Sequence, residues 1–69
     1  MSYFKQYEFL KRFNLLITLD SVWEDSVGKV KIVNIIPCDP KLITFRDMRA
    51  GTIDTVGLRF FALAFKRVD

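Results

Sequence analysis

An α+β fold, with a small antiparallel sheet of about three strands covered by terminal helices, is what this sequence predicts, and three observations point to it. Residues 15–19 and 30–36 are apolar or β-branched runs separated by a polar stretch that ends in Gly28, the pattern of a β-hairpin. Pro37 and Pro40 interrupt the chain near its middle; each fixes φ and removes a backbone donor, so the segment must turn. Both end segments carry apolar residues at three- and four-residue spacing: Tyr3, Tyr7, Leu10 and Phe13 in one, Leu58, Phe61 and Phe65 in the other, which is the spacing of a helix face.

Residues 3–13 fit a helix with Ser2 as N-cap and Lys5, Glu8, Lys11 and Arg12 on the far side, supported by the helix propensities of Lys, Gln, Glu, Leu and Arg. Phe4 and Phe9 interrupt that stripe, and the same stretch also reads as one long strand continuing to Leu19. Strands follow over residues 14–24, 29–36 and 41–47. Glu24, Asp25, Ser26 and Gly28 supply the first turn, where Gly28 is able to take positive φ. Residues 47–51 make another reversal, and residues 52–56 alternate like a short strand. Residues 58–67 fit either state. A strand there would place Phe61, Leu63 and Phe65 on one face and Leu58, Phe60, Ala62 and Ala64 on the other, and a strand apolar on both faces needs more cover than so short a chain provides. A helix with Leu58, Phe61 and Phe65 inward is the preferred reading, and an all-β small barrel is the alternative fold.

The 69 residues make one small globular domain, 1–69, which buries only about 60% of the surface its unfolded chain exposes. Yet 51% of the residues are hydrophobic, with seven Phe, two Tyr and one Trp among them. That is a surplus over what the interior holds, and exposed apolar patches mark contacts with partners. Self-association and a monomer weigh equally here. Eleven Lys or Arg against eight Asp or Glu leave a net charge of +3, which permits but does not demand an anionic partner.

Ordinary site chemistry finds few parts. The sequence has no histidine, the usual acid–base group near neutral pH. Asp39, Asp47 and Asp54 fall at turns, where Asp serves chiefly as a cap. Cys38 is the one cysteine; it lacks a histidine to activate it, and tetrahedral zinc needs several Cys or His ligands. Gly28, Gly51 and Gly57 are isolated, so no phosphate-cradling loop is formed. The expectation is therefore a non-enzymatic protein without cofactor, metal or catalytic residues.

A lone Cys38 cannot close an intramolecular disulfide, which points to a reducing, cytoplasmic setting. The first eight residues lack the apolar core and cleavage site of a signal peptide. The stretches without a charge, 14–19 and 60–65 among them, are far short of the ~20 residues of a membrane span.

Two partner classes remain. The preferred one is another protein, with the chain as a regulator, inhibitor or assembly subunit, because aromatic residues and Arg carry most interface energy. Arg46, Arg49 and Arg59 near Phe45, Phe60 and Phe61 suit such a patch. The alternative is single-stranded DNA or RNA, with bases stacked on aromatic side chains and phosphates met by Lys or Arg; Trp23, Lys29 and Lys31 on one hairpin and Phe45 and Arg46 on the next strand would form that platform. The candidate contact set is thus Trp23, Lys29, Lys31, Phe45, Arg46, Arg49, Arg59, Phe60 and Lys66. Compact regulators encoded by viruses or mobile elements share this size and composition, an analogy of composition alone.

Overall fold

The computed structural model describes residues 15–69. Strands β1 (Val22–Glu24), β2 (Lys29–Ile36), β3 (Leu42–Asp47), β4 (Ile53–Gly57) and β5 (Lys66–Arg67) form one antiparallel sheet, with helix α1 (Leu58–Ala64) between β4 and β5. Their order across the sheet is β4-β3-β2-β1-β5. The first four strands are thus a meander, after which α1 carries the chain across one face to add β5 at the far edge. The α+β class stands, but with five strands among the described residues instead of three. β4 and β5 are the two edges of an open sheet, so the alternative barrel does not close. The helix expected over 3–13 lies outside the described residues.

The strand expected over 14–24 is cut to its last three residues. Leu15 and Leu16 are helical, Leu19 and Asp20 form a turn, and only Val22–Glu24 pair with β2. Leu is a good helix former, and only Ile17 and Thr18 in this run are β-branched, so its apolar character does not amount to strand propensity. Asp20 takes φ +67°, a left-handed conformation in which Asp is enriched. Ser21 then fixes the corner: its hydroxyl donates to the Thr18 carbonyl at 2.6 Å and accepts from the Trp23 indole N–H at 2.8 Å. Buried Ser21 thus turns the chain and seats the indole together.

The β1–β2 turn is built by Asp25. Its Oδ1 accepts from the Val27 and Gly28 N–H groups at 2.9 and 3.0 Å, and its own N–H donates to the Gly28 carbonyl at 3.0 Å. Positive φ, expected at Gly28, is found instead at Gly51 (φ +77°) in the β3–β4 turn. There Asp47 repeats the device, its Oδ1 accepting from the Arg49 and Ala50 N–H groups at 2.8 Å each. The β2–β3 connection carries the two prolines, with a cis bond between Asp39 and Pro40.

A β-bulge decides which side of β2 faces the core. The register passes from Ile32↔Phe45 to Asn34↔Thr44 and Ile35↔Ile43, so Val33 is the extra residue. Strict alternation from Val30 and Ile32 would send Asn34 inward, where an unpartnered amide is costly. The bulge keeps Asn34 exposed and turns Ile35 to the core side, and the Asn34 Oδ1 accepts the Ile35 N–H at 3.0 Å.

Among the described residues Ile17, Trp23, Val30, Ile32, Ile43 and Phe61 form the buried core. Phe61 stands at its centre, with ring centroids 5.2 Å from Trp23, 5.7 Å from Phe45 and 4.6 Å from Phe65. The helical reading of residues 58–67 therefore holds over Leu58–Ala64. Phe61 is inward, with Leu58 and Phe65 packed against the core, while Lys66 and Arg67 leave the helix to form β5. Among the described residues, no helix is long and apolar enough to cross a membrane.

Candidate functional surfaces

Residues directly opposite each other in an antiparallel sheet share a face, so the register sorts the candidate contact residues. Trp23 faces Val30, Ile32 faces Phe45, and Ile35 and Val56 both face Ile43; this is the inner side, under α1. On the outer side Lys31 faces both Val22 and Arg46, and Glu24 faces both Lys29 and Lys66.

The expected stacking platform is therefore not assembled. Trp23 is only 1% exposed and Phe45 is tied into the ring cluster under the helix, whereas Lys29, Lys31 and Arg46 lie on the opposite side of the sheet. Trp23 is corrected from a contact residue to a core residue, because the alternation of β1 turns it toward Phe61. Period-two alternation in Lys29-Val30-Lys31-Ile32 carried that separation in the sequence; grouping residues by hairpin rather than by face missed it.

Lys29, Arg46, Lys66 and Glu24 are exposed and Lys31 is half-buried. Among the described residues, the ion pair is Arg67 to Asp69 at 2.9 Å, with Arg67 also donating to the Leu16 carbonyl at 2.9 Å. It leaves the four outer-face cations uninvolved. Lys31 and Arg46 are direct cross-strand neighbours of like charge, an arrangement that opposes folding.

The second surface is on the helix side. A cleft of about 300 Å³ opens between α1, the inner face of β3 and β4, and the β1–β2 turn. Phe45, Val56 and Phe65 give it an apolar floor, Phe60 stands at its border, and Asp25, Asp47 and Asp54 also line it. Phe60 is 61% exposed and Leu63 86%; they are three residues apart and so neighbours on the helix surface. Exposed Arg59 sits beside Phe60, and Arg49 is exposed in the β3–β4 turn.

All three carboxylates are engaged by backbone donors. Beyond the two turns described above, the Asp54 Oδ1 accepts the Thr55 N–H at 2.8 Å. Hydrogen bonds from the Ala50 and Arg49 N–H groups hold the Asp47 carboxyl below its ordinary range. Asp25 and Asp47 thus cap turns, whereas Asp54, expected at a turn, lies within β4; among the described residues no group of three His, Cys, Asp or Glu side chains is placed to hold a metal ion. Cys38 is exposed, its Sγ 3.2 Å from the Pro40 carbonyl oxygen.

The fold and surfaces define a small open-sheet α+β domain with two differently charged sides. Compared with known proteins, the chain matches no family model, no curated protein and no solved structure.

Proposed function

We propose that the chain is a small non-enzymatic protein-binding module that receives an apolar, positively charged segment of its partner in the cleft beside α1. The observation that carries this reading is Phe60, a large ring left 61% exposed at the border of a cleft whose floor is apolar and whose lining includes three carboxylates. Aromatic residues beside a pocket are the usual anchors of an interface. Unengaged carboxylate oxygens of Asp25, Asp47 and Asp54 attract a Lys or Arg flanking the partner's anchor. A regulator, an inhibitor or an assembly subunit would use such a surface. The exposed free thiol of Cys38 suits action in a reducing compartment such as the cytoplasm.

Selection of random displayed peptides on the immobilised chain tests the reading. Enriched sequences should combine an aromatic or aliphatic anchor with Lys or Arg, and should lose binding to Phe60→Asp and Asp54→Asn. Enrichment of acidic peptides, or binding indifferent to both substitutions, would refute it.

A further inference from the structure

We propose that the outer face of the sheet, independently of the cleft, binds the phosphate backbone of double-stranded nucleic acid through Lys29, Lys31, Arg46 and Lys66. The register brings these four cations together from β2, β3 and β5, with Glu24 as the one carboxylate among the strand residues of that face. From Arg46 to Lys66 is three strand spacings across and two residues along, roughly 16 Å on the diagonal for ~4.8 Å between strands and ~3.4 Å per residue. Over that length one strand of a duplex presents about five phosphates, at ~3.4 Å each. The row of four cations thus spans a length over which a linear polyanion offers at least as many phosphates.

Neighbouring polar groups fit the same ligand. Asn34, Thr44 and Thr55 lie on the outer face beside the cations, and Thr and Asn side chains share phosphate contacts with Lys and Arg. Aromatic residues are what single strands need for stacking, and the strands place none on this face: Trp23 and Phe45 are turned to the other side. A duplex, whose bases stay stacked on one another, asks only for charge and hydrogen bonds. The Lys31–Arg46 pair, unfavourable in the isolated domain, becomes favourable when a phosphate lies over it. Contacts of this kind carry no sequence information.

Titration of the full chain with a mixed-sequence DNA duplex at several salt concentrations tests the proposal. Four phosphate contacts predict a slope of log K against log salt near −3.6, a loss of about 150-fold between 50 and 200 mM salt. Lys31→Gln combined with Arg46→Gln should bring the slope to about −1.8, a loss of roughly 12-fold over the same range. Arg46→Glu gives an arm that misfolding cannot imitate, since it turns a like-charged pair into an opposite one. It should raise the unfolding midpoint while abolishing duplex binding. Glu24→Gln should tighten binding, and Phe60→Asp should leave it unchanged, which separates this face from the cleft. Absence of binding at 50 mM salt, a preference for polyglutamate or for a single strand over the duplex, or a slope unmoved by the double substitution would overturn the proposal.

Discussion

Truncating Phe61 to alanine should remove a large part of this domain's stability, while the same truncation at its neighbour Phe60 should remove almost none. Phe61 is fully buried and contacts the rings of Trp23, Phe45 and Phe65. Phe→Ala in a core costs about 3–5 kcal/mol from lost transfer energy and the cavity left behind. At ~0.05–0.15 kcal/mol per residue, a chain of this length has roughly 3.5–10 kcal/mol in all, so Phe61→Ala takes at least about a third of it or leaves the domain unfolded. Phe60, 61% exposed, belongs to the surface class whose substitutions stay within about 0.5 kcal/mol. The assay is urea or thermal unfolding followed by the emission of Trp23, the chain's one tryptophan, whose ring centroid lies 5.2 Å from that of Phe61. At ~4–8 °C per kcal/mol for a domain of this size, Phe61→Ala should lower the melting temperature by at least about 12 °C. Equal losses at the two positions, or a loss under about 1 kcal/mol at Phe61, would refute the placement of α1 on the sheet.

Ser21→Ala removes both hydrogen bonds of a buried hydroxyl, to the Thr18 carbonyl and from the Trp23 indole, and should cost about 1–3 kcal/mol in chemical denaturation. Gly51→Ala meets no atom within 4 Å but requires an L side chain at φ +77°, so a cost of about 1–2 kcal/mol of pure backbone strain is expected from its unfolding curve. The depressed Asp47 carboxyl contributes stability that is present above its unfolded pKa of about 3.9 and lost as pH falls through the lower folded value; acid unfolding of Asp47→Asn should lack this component. In β4 the Asp47 N–H bond to the Thr52 carbonyl sets an alternation that points the Thr55 N–H away from β3, where the Asp54 carboxylate covers it. Asp54→Ala exposes that donor on the sheet edge and should increase concentration-dependent association by light scattering.

The strands that sequence reasoning placed well are those with β-branched runs between hard stops: β2 and β3 lie at the expected positions because Gly28, the two prolines and the 47–51 reversal bound them. Residues 15–19 misled because apolar character and strand propensity coincide in Ile and Val but not in Leu. The bulge at Val33 was also legible in principle, since Asn34 in an unbroken β2 would have pointed inward, but choosing between a bulge and a polar core position needs the partner strand. The Gly28 and Gly51 turns show the same limit: both suit positive φ, and only the closing hydrogen bonds decide which one takes it. For the candidate contact residues the missing information was register. The alternation within β2 separates Lys29 and Lys31 from Val30 and Ile32, yet Arg46 and Lys66 join them only through pairings across β3 and β5.

Folding makes the two sides of this sheet unlike each other. The inner side takes the rings of Trp23, Phe45, Phe61 and Phe65 and leaves a cleft lined partly by Asp25, Asp47 and Asp54; the outer side keeps Lys29, Lys31, Arg46 and Lys66. Because the strands themselves separate the surfaces, the proposed partner segment beside α1 and the proposed polyanion on the outer face would not compete for the same residues, and substitutions on the two sides should add. The Lys31–Arg46 juxtaposition works against the fold by about 0.2–1 kcal/mol, a sizeable fraction for so small a domain. Core packing does not require it, since neither Lys31 nor Arg46 belongs to the buried cluster among the described residues. A variant that relieves it should therefore be more stable and less able to hold phosphate, so that stability and binding move in opposite directions at Arg46 and together at Phe61.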